Sequence, residues 1–396
     1  MRVHDTPACA GMRTGTSERM EIYLVGGAVR DRLLDLPVAE RDWVVVGATP
    51  EEMLAQGYTL VGRDFPVFLH PDSKEEYALA RTERKTGHGY TGFDVCADTD
   101  VTLEDDLQRR DLTINAMAEN ASGELVDPCG GAEDLNNGVL RHVSPAFVED
   151  PVRILRVARF AARFAHYGFH VAHETNALMR KMVAAGEVDY LVPERVWAEL
   201  VKALGTRTPT RFFDVLSGCN ALPVLFPRLV TRYADDTAHA DDSIRLPVLA
   251  AASVLSDATG VRFAALACDM NGNGDWLDDF CAQHRAPNSY RQLAQLAIRY
   301  RKPVHEIVTL SADEVLKVLE GLDAFRRGER IGDFLQVCEA DARSTNHGLT
   351  DYPQAQQLRS ALAAAVDIEV DTGEKSGKEI GEAIRQARIA AINEIL

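Results

Sequence analysis

The sequence has no apolar run long enough to span a bilayer, which excludes a helical membrane protein. Residues 1–19 lack the apolar stretch of a secretory signal; they hold Gly, Thr, Ser and Arg without periodicity and read as a disordered extension. Cysteine is sparse, seven residues with no paired spacing, which argues against a disulfide scaffold or a zinc ribbon and suits a cytoplasmic location. Positive charge is also short: 43 Lys and Arg stand against 60 Asp and Glu, for a net charge of −17. A globally basic nucleic-acid binder is thereby excluded, although a locally basic cleft can still hold phosphate on an acidic molecule. Salt-sensitive, modest RNA affinity would follow. At 396 residues and 46% hydrophobic content, the chain can bury the cores of two or more domains.

The richest stretch is Tyr23 to Val46, which reads as strand, glycine turn, helix and second strand. Gly26-Gly27 ends the first strand and lets a ligand approach the backbone closely. A helix is predicted from Ala28 to Leu36, stopped by Pro37. Its N-terminus offers unpaired N–H groups to a phosphate, and Arg30 in the first turn adds a guanidinium fork. The second strand is predicted to open with Glu40 and Asp42. Two residues apart, they point to one face while Arg41 points to the other. Such a pair can hold two Mg²⁺ ions against a nucleoside triphosphate, or be a plain solvated edge.

Further along, Thr49-Pro50-Glu51-Glu52 is a helix start, and strands are predicted at Tyr58–Val61, Pro66–His70 and Glu76–Arg81. Glu76 is a candidate third carboxylate, with an ordinary surface position the simpler reading. Thr82–Thr91 reads as a polar loop, either a connector or a lid over the nucleotide. Glu104 to Ala116 reads as one helix carrying Arg109 and Arg110, which diverge by about 100°, so only one can face a ligand well. Arg110 is assigned to the triphosphate, Asp111 to holding an arginine and Asn115 to a ribose. Gly123 to Arg141 reads as strand, turn, short helix and strand, closing a head over 20–143. From 144 onward the pattern is helical: a neck and body over 144–228, then a helical region over 229–396.

The first helix there follows Glu149-Asp150-Pro151, with Asp150 as cap, and carries Arg153, Arg156 and Arg159 as a slowly drifting basic stripe. Asp150 and Arg153 lie one turn apart and together offer the acceptors and donors needed to read a Watson–Crick edge. A capped helix with solvated arginines is the alternative.

These motifs, in this order, resemble the class II tRNA nucleotidyltransferases, the CCA-adding enzymes of the polymerase-β-like superfamily, from about Met20 to Phe226. The residues that carry the likeness are Gly26 to Asp31, the acids around Arg41, Arg109 to Ala116, Asp127 to Gly131, Glu149 to Arg153 and Pro193-Glu194-Arg195. The resemblance implies an α+β fold, a polymerase-β-like head of mixed sheet and helices followed by an all-α neck, body and tail. It implies CTP and ATP as substrates, tRNA as partner and Mg²⁺ as cofactor, with Glu40 and Asp42 as catalytic metal ligands. Gly27, Arg30, Arg110, Arg156 and Arg159 fall where relatives contact nucleotide, and Asp150 with Arg153 where they read the base. A poly(A) polymerase shares the same head, and an RNA-binding protein with lapsed catalysis is a third reading.

Two departures stand out. The family's metal pair is Asp-x-Asp, whereas this chain has Glu40, whose extra methylene moves the carboxylate by roughly 1 Å. The long bacterial branch also carries a His-Asp phosphohydrolase domain. In this chain Cys268 precedes Asp269 at that place, so a degenerate domain without phosphatase activity is expected. Asp269-x-Asn271-x-Asn273-Gly274 superficially resembles an EF-hand start, but its twelfth position is Phe280, so calcium is not expected. The tail from Ser376 to Arg385 reads as a packing helix.

Overall fold

The computed structural model describes residues 20–61, 66–85, 93–96, 99–229, 244–270, 274–346, 349–370 and 376–396. They gather into two compact units, one within Met1–Thr86 and Phe93–Ala132, the other within Glu133–Leu396. The first is a mixed sheet with helices and the second is nearly all helix, as the α+β expectation requires.

The first unit runs β1 (Glu21–Val25), α1 (Gly27–Leu33), β2 (Asp42–Val46), α2 (Pro50–Ala55), β3 (Thr59–Val61), β4 (Val67–Leu69), β5 (Glu76–Leu79), β6 (Thr82–Lys85), β7 (Phe93–Cys96), α3 (Leu103–Gln108), β8 (Ala118–Glu119), β9 (Leu125–Val126) and the start of α4 (Gly131–Asn136). Among the described residues the main sheet has the order β3-β4-β5-β2-β1-β8-β9, with β2 and β5 parallel and the other neighbours antiparallel. Val45, Met53, Phe68, Tyr77 and Leu79 form a buried cluster on one side of it, with Trp43 stacked on Tyr77 at 5.5 Å. Thr49 caps α2 through a reciprocal pair with Glu52, as its Thr-Pro-Glu-Glu start predicts.

Several boundaries differ from expectation. Helix α1 stops at Leu33, before Pro37, because the chain turns at Asp35 with φ +55°. Strand β2 starts at Asp42, so Glu40 precedes it and strand alternation does not fix its direction. The single helix predicted over 104–116 is two pieces. Helix α3 ends at Gln108, the chain is extended at Leu112, and a 3₁₀ turn covers Thr113–Asn115. Asp111 makes the break by accepting the Leu112 N–H at 2.8 Å with its own side chain. Thr82–Lys85, expected in a polar loop, form a strand instead. Thr82–Lys85 pair with Phe93–Cys96, and 86–91 lie outside the described residues.

The second unit continues with β10 (Val139–Leu140), α5 (Val152–Phe164), β11 (His170–Val171), α6 (His173–Ala184), α7 (Pro193–Leu204), α8 (Thr210–Gly218), α9 (Leu222–Leu225), α10 (Pro247–Leu255), α11 (Thr259–Asp269), α12 (Asp275–Gln283), α13 (Asn288–His305), α14 (Ala312–Gly321), α15 (Arg330–Thr345), α16 (Pro353–Val366) and α17 (Gly377–Asn393). None of the described helices is long and apolar enough to cross a membrane. Helix α17 packs, as expected of the tail: Ile392 is buried and Arg388 lies 3.7 Å over the Phe325 ring.

Helix α11 holds α10 at both ends. Asp269 accepts the N–H groups of Val248 and Leu249 at 3.1 and 2.9 Å, satisfying free donors of the first turn. Arg262, 1% exposed, donates to Ser253 O and Ser256 O at the other end of α10, and to Leu204 O at the end of α7 and Thr206 O just after it. Its positive charge thus meets the negative ends of two helices. The Asp269 carboxylate is a helix cap, and Asn271 and Asn273 of the EF-hand-like run lie outside the described residues. Replacing Arg262 with Met leaves buried carbonyls unpaired and should destabilise the second unit by about 3 kcal/mol, read as a lower urea midpoint by helical circular dichroism. An unchanged midpoint would refute this account.

Candidate nucleotide-handling sites

In the first unit the site is built around the corner between β1 and α1. Gly26 has φ +70°, and a Cβ there would lie 2.8 Å from Arg110 Nη1. Only glycine fits both the backbone and the guanidinium. Gly27 follows as the first residue of α1, a helix of only seven residues, so its dipole is slight and the corner's charge comes from side chains.

Arg110 is held by Asp106, a carboxylate with 0% exposure. Asp106 Oδ2 accepts Arg110 Nε and Nη2 at 3.3 and 3.1 Å, while Oδ1 accepts Arg109 Nε and Nη2 at 3.0 and 2.8 Å. One buried acid thus clamps both arginines, and they hold its carboxyl below the usual range against the opposing effect of burial. The two guanidiniums against one carboxylate leave a net positive charge beside the glycine corner. Arg110 Nη1 also reaches the Asn115 carbonyl at 3.5 Å.

Arg30 is placed differently from the expected open fork. It is 3% exposed, with Nε and Nη2 on Asp31 Oδ1 at 2.9 and 2.7 Å and Nη1 on Asn115 Oδ1. Asn115 is itself buried and donates to Asp111 Oδ1 at 3.0 Å. Asn115 therefore ties Arg30 to Asp111 and keeps its side chain inside the protein, where a ribose was expected to meet it. The physical reason is the break after α3, which turns Asn115 inward on a 3₁₀ turn.

Asp42 stands at the β2 end nearest the corner, opposite Val25 on one side and Glu76 on the other. In a parallel pair, registered neighbours share a face, so Glu76 lies beside Asp42 and is exposed. Arg41 and Trp43 both reach Glu75, at 3.5 and 3.0 Å. The crowding of protein atoms around the Asp42 carboxyl raises its pKa; Arg110 lowers it and Glu40 raises it. Glu40 and Arg110 thus act in opposite senses on the Asp42 carboxyl. Carboxylate oxygens under mutual repulsion are a donor set suited to a hard divalent cation such as Mg²⁺. Among the described residues no three acidic, histidine or cysteine side chains close a metal site by themselves. Two protein carboxylates with the remaining positions left to phosphate and water is the usual way Mg²⁺ is held.

The second unit carries the base-reading candidates on and before α5. Asp150 caps the helix by accepting Val152 N–H at 3.1 Å, and its two oxygens take Arg195 Nη1 and Nη2 at 3.1 and 2.8 Å. Arg153, 8% exposed, donates to Ala146 O at 2.9 Å. Arg159 is bound to Glu199 at 2.5 Å and lies 4.1 Å over the Phe160 ring, with Arg156 at 5.9 Å from the same ring. The stripe is thus a set of oriented guanidiniums, with partners in the turn before α5, on α5 and on α7.

Sequence reasoning missed Asp106, Glu199 and the pairing role of Arg195. Asp106 precedes Arg109 and Arg110 by three and four residues, the spacing at which helical side chains meet, so that signal was legible. Glu199 and Arg195 sit on a separate helix, and no local pattern announces them.

Residues 22–141 match the family model described as the poly A polymerase head domain, and 168–231 match that described as the probable RNA and SrmB-binding site of polymerase A. The multifunctional CCA protein of Thioalkalivibrio sulfidiphilus is 54% identical over 95% of this chain and 98% of its own. That of Nitrosococcus oceani is 53% identical over the same shares. Among solved structures, the Bacillus stearothermophilus CCA-adding enzyme in complex with CTP superposes with a TM-score of 0.68 at 23% identity, covering 95% of this chain and 89% of that one. The Thermotoga maritima CCA-adding enzyme complexed with tRNA gives 0.62 at 22%, covering 95% and 88%. These distant structures speak for the fold alone. Identity above one half along nearly the whole of both curated chains speaks for descent: the chain belongs to the multifunctional CCA protein family, nucleotidyltransferases with a poly A polymerase head.

Proposed function

We propose that the protein adds C, C and A to the 3′ end of tRNA from CTP and ATP, without a nucleic-acid template and with Mg²⁺. The observation that carries this reading is the 54% identity to a multifunctional CCA protein across 95% of the chain. The glycine corner, Arg110 and Asp42 supply the local chemistry it needs. The triphosphate rests against Gly26 and Gly27 with Arg110 as its cation, held by Asp106. Glu40 and Asp42 hold Mg²⁺, which when bound activates the terminal hydroxyl and offsets charge on the α-phosphate. The 3′-hydroxyl attacks that phosphorus in line and pyrophosphate leaves. Asp150 accepts from the exocyclic amine that cytosine and adenine share, and Arg153 donates to their ring acceptors. Arg195 fixes the carboxylate plane, and Arg156 and Arg159 line the same helix.

A poly(A) polymerase reading is favoured by the descriptions of the two family models. Labelled CTP and ATP offered separately to tRNA lacking its 3′ end distinguish the two, because a poly(A) polymerase ignores CTP. Incorporation should stop with chelator and with Asp42→Ala. Glu40→Asp should raise turnover, by up to about 10²-fold if its position limits the rate. Full activity in Asp42→Ala would end the metal assignment, and faster turnover by Glu40→Asp counts against lapsed catalysis.

Asp106→Asn loosens both arginines. It should raise KM for CTP and ATP alike by about tenfold, leaving KM for tRNA within twofold, with partial recovery in Asp106→Glu. Equal damage to both KM values would mark Asp106 as merely structural.

Arg195→Ala frees Asp150 to rotate. Its expected effect is a loss of about tenfold in discrimination of CTP against UTP, measured as a ratio of kcat/KM values. An unaltered ratio removes Arg195 and Asp150 from base selection.

A further inference from the structure

Thr175 stands in the first turn of α6 with 0% exposure, and a hydroxyl so buried needs partners. Its Oγ1 accepts the His142 N–H at 3.0 Å and lies 2.8 Å from Nδ1 of the same residue. Burial, and then the neighbouring Arg141 charge, lowers the His142 pKa, so the ring is neutral near pH 7 and Nδ1 can take the hydroxyl proton. The residues on either side are tied down too. Arg141 pairs with Glu174, Val139 and Leu140 lie in register with His170 and Val171, and the Ala172 N–H donates to Leu140 O at 3.0 Å. The start of α6 therefore fixes the chain as far as His142. Beyond it comes the 3₁₀ turn Pro145–Glu149, opened by Ser144, whose Oγ accepts the Ala146 N–H at 3.3 Å. Phe147 in that turn is 0% exposed and meets the His142 ring edge-on, 5.8 Å between centroids. The peptide before Phe147 carries Ala146 O, the acceptor of Arg153 Nη1.

We infer that Thr175 is a positioning residue for base selection: through His142 and Phe147 it sets the carbonyl that orients the Arg153 guanidinium. The inference rests on the reading of Arg153 as a donor to the incoming base. A guanidinium carries its N–H donors in one rigid plane, so a carbonyl bonded to Nη1 decides where the others point. That direction bears on selection, because cytosine presents an acceptor at ring N3 where uracil presents an N–H. A site aimed to donate there leaves its donor unpaired against uracil. The hydroxyl is the part of Thr175 that matters. Valine has the same shape and would fill the space, but it would leave the His142 N–H and Nδ1 without the oxygen that now meets both.

The test compares kcat/KM for CTP and UTP on tRNA lacking its 3′ end, in the full chain. Thr175→Val should lower the CTP-to-UTP ratio by about fivefold, the order expected for one lost hydrogen bond, with KM for tRNA within about twofold of wild type. Thr175→Ser, which keeps the hydroxyl, should restore the ratio. His142→Ala, which keeps the backbone bond to Thr175 and removes the ring against Phe147, is the second variant and should lower the ratio as well. A double-mutant cycle with Arg153→Ala tests the route: once Arg153 is gone, Thr175→Val should change the ratio no further. An unchanged ratio in both Thr175→Val and His142→Ala overturns the inference, as does a Thr175→Ser variant as impaired as Thr175→Val. A full effect of Thr175→Val in the Arg153→Ala background also overturns it, because Thr175 would then act by another route. Arg153→Ala with the wild-type ratio removes Arg153 from base reading, and this inference with it.

Discussion

The head depends on one buried carboxylate, Asp106, holding two guanidiniums. A charge removed from water is tolerable only when it is paired and hydrogen-bonded, and Asp106 meets that condition with four bonds from Arg109 and Arg110. The same bonds bring Arg110 so close to Gly26 that a side chain there would collide with it. The glycine corner, the cation and the carboxylate are therefore one mutually constrained object. Its order is set by packing before any substrate arrives, which is how electrostatic preorganisation works in an active site.

A second network lies behind it. Arg30, Asp31, Asn115 and Asp111 form a buried chain of charge-assisted bonds that stitches α1 to the 3₁₀ turn after α3. Gly131 continues the packing, since a Cβ there would lie 2.2 Å from Thr113 O. Asp127 fastens that turn by accepting the N–H groups of Gly131 and Ala132 at 2.7 and 2.8 Å. Motifs scattered over a hundred residues of sequence thus converge through side chains that bond to one another.

The helical unit uses the same device at helix ends. Asp150 caps α5 while Arg195 orients it, and Asp269 and Arg262 cap α10 from a single neighbouring helix. Where a metal-binding acid was the family expectation, Asp269 instead satisfies two backbone donors, with the Cys268 thiol beside it buried and its pKa pushed up to about 12.

The sequence by itself determined the opening strand-turn-helix-strand unit, the glycine corner, the cap at Thr49, the Asp42 position and the family, because each is written in short-range patterns of turn, cap and alternation. Arg110 is the cation of the corner as expected, but not through the divergence of helical neighbours, since α3 ends at Gln108 and both arginines converge on Asp106. Only the tertiary structure decided that Arg30 and Asn115 face each other inside the protein, that Glu40 stands ahead of its strand, and that Glu76 lies in register with Asp42. Those are long-range relations: Arg30 and Asn115, 85 apart in the chain, meet because a buried guanidinium needs more hydrogen-bond partners than its neighbour Asp31 supplies, and no local periodicity can encode which partner that is.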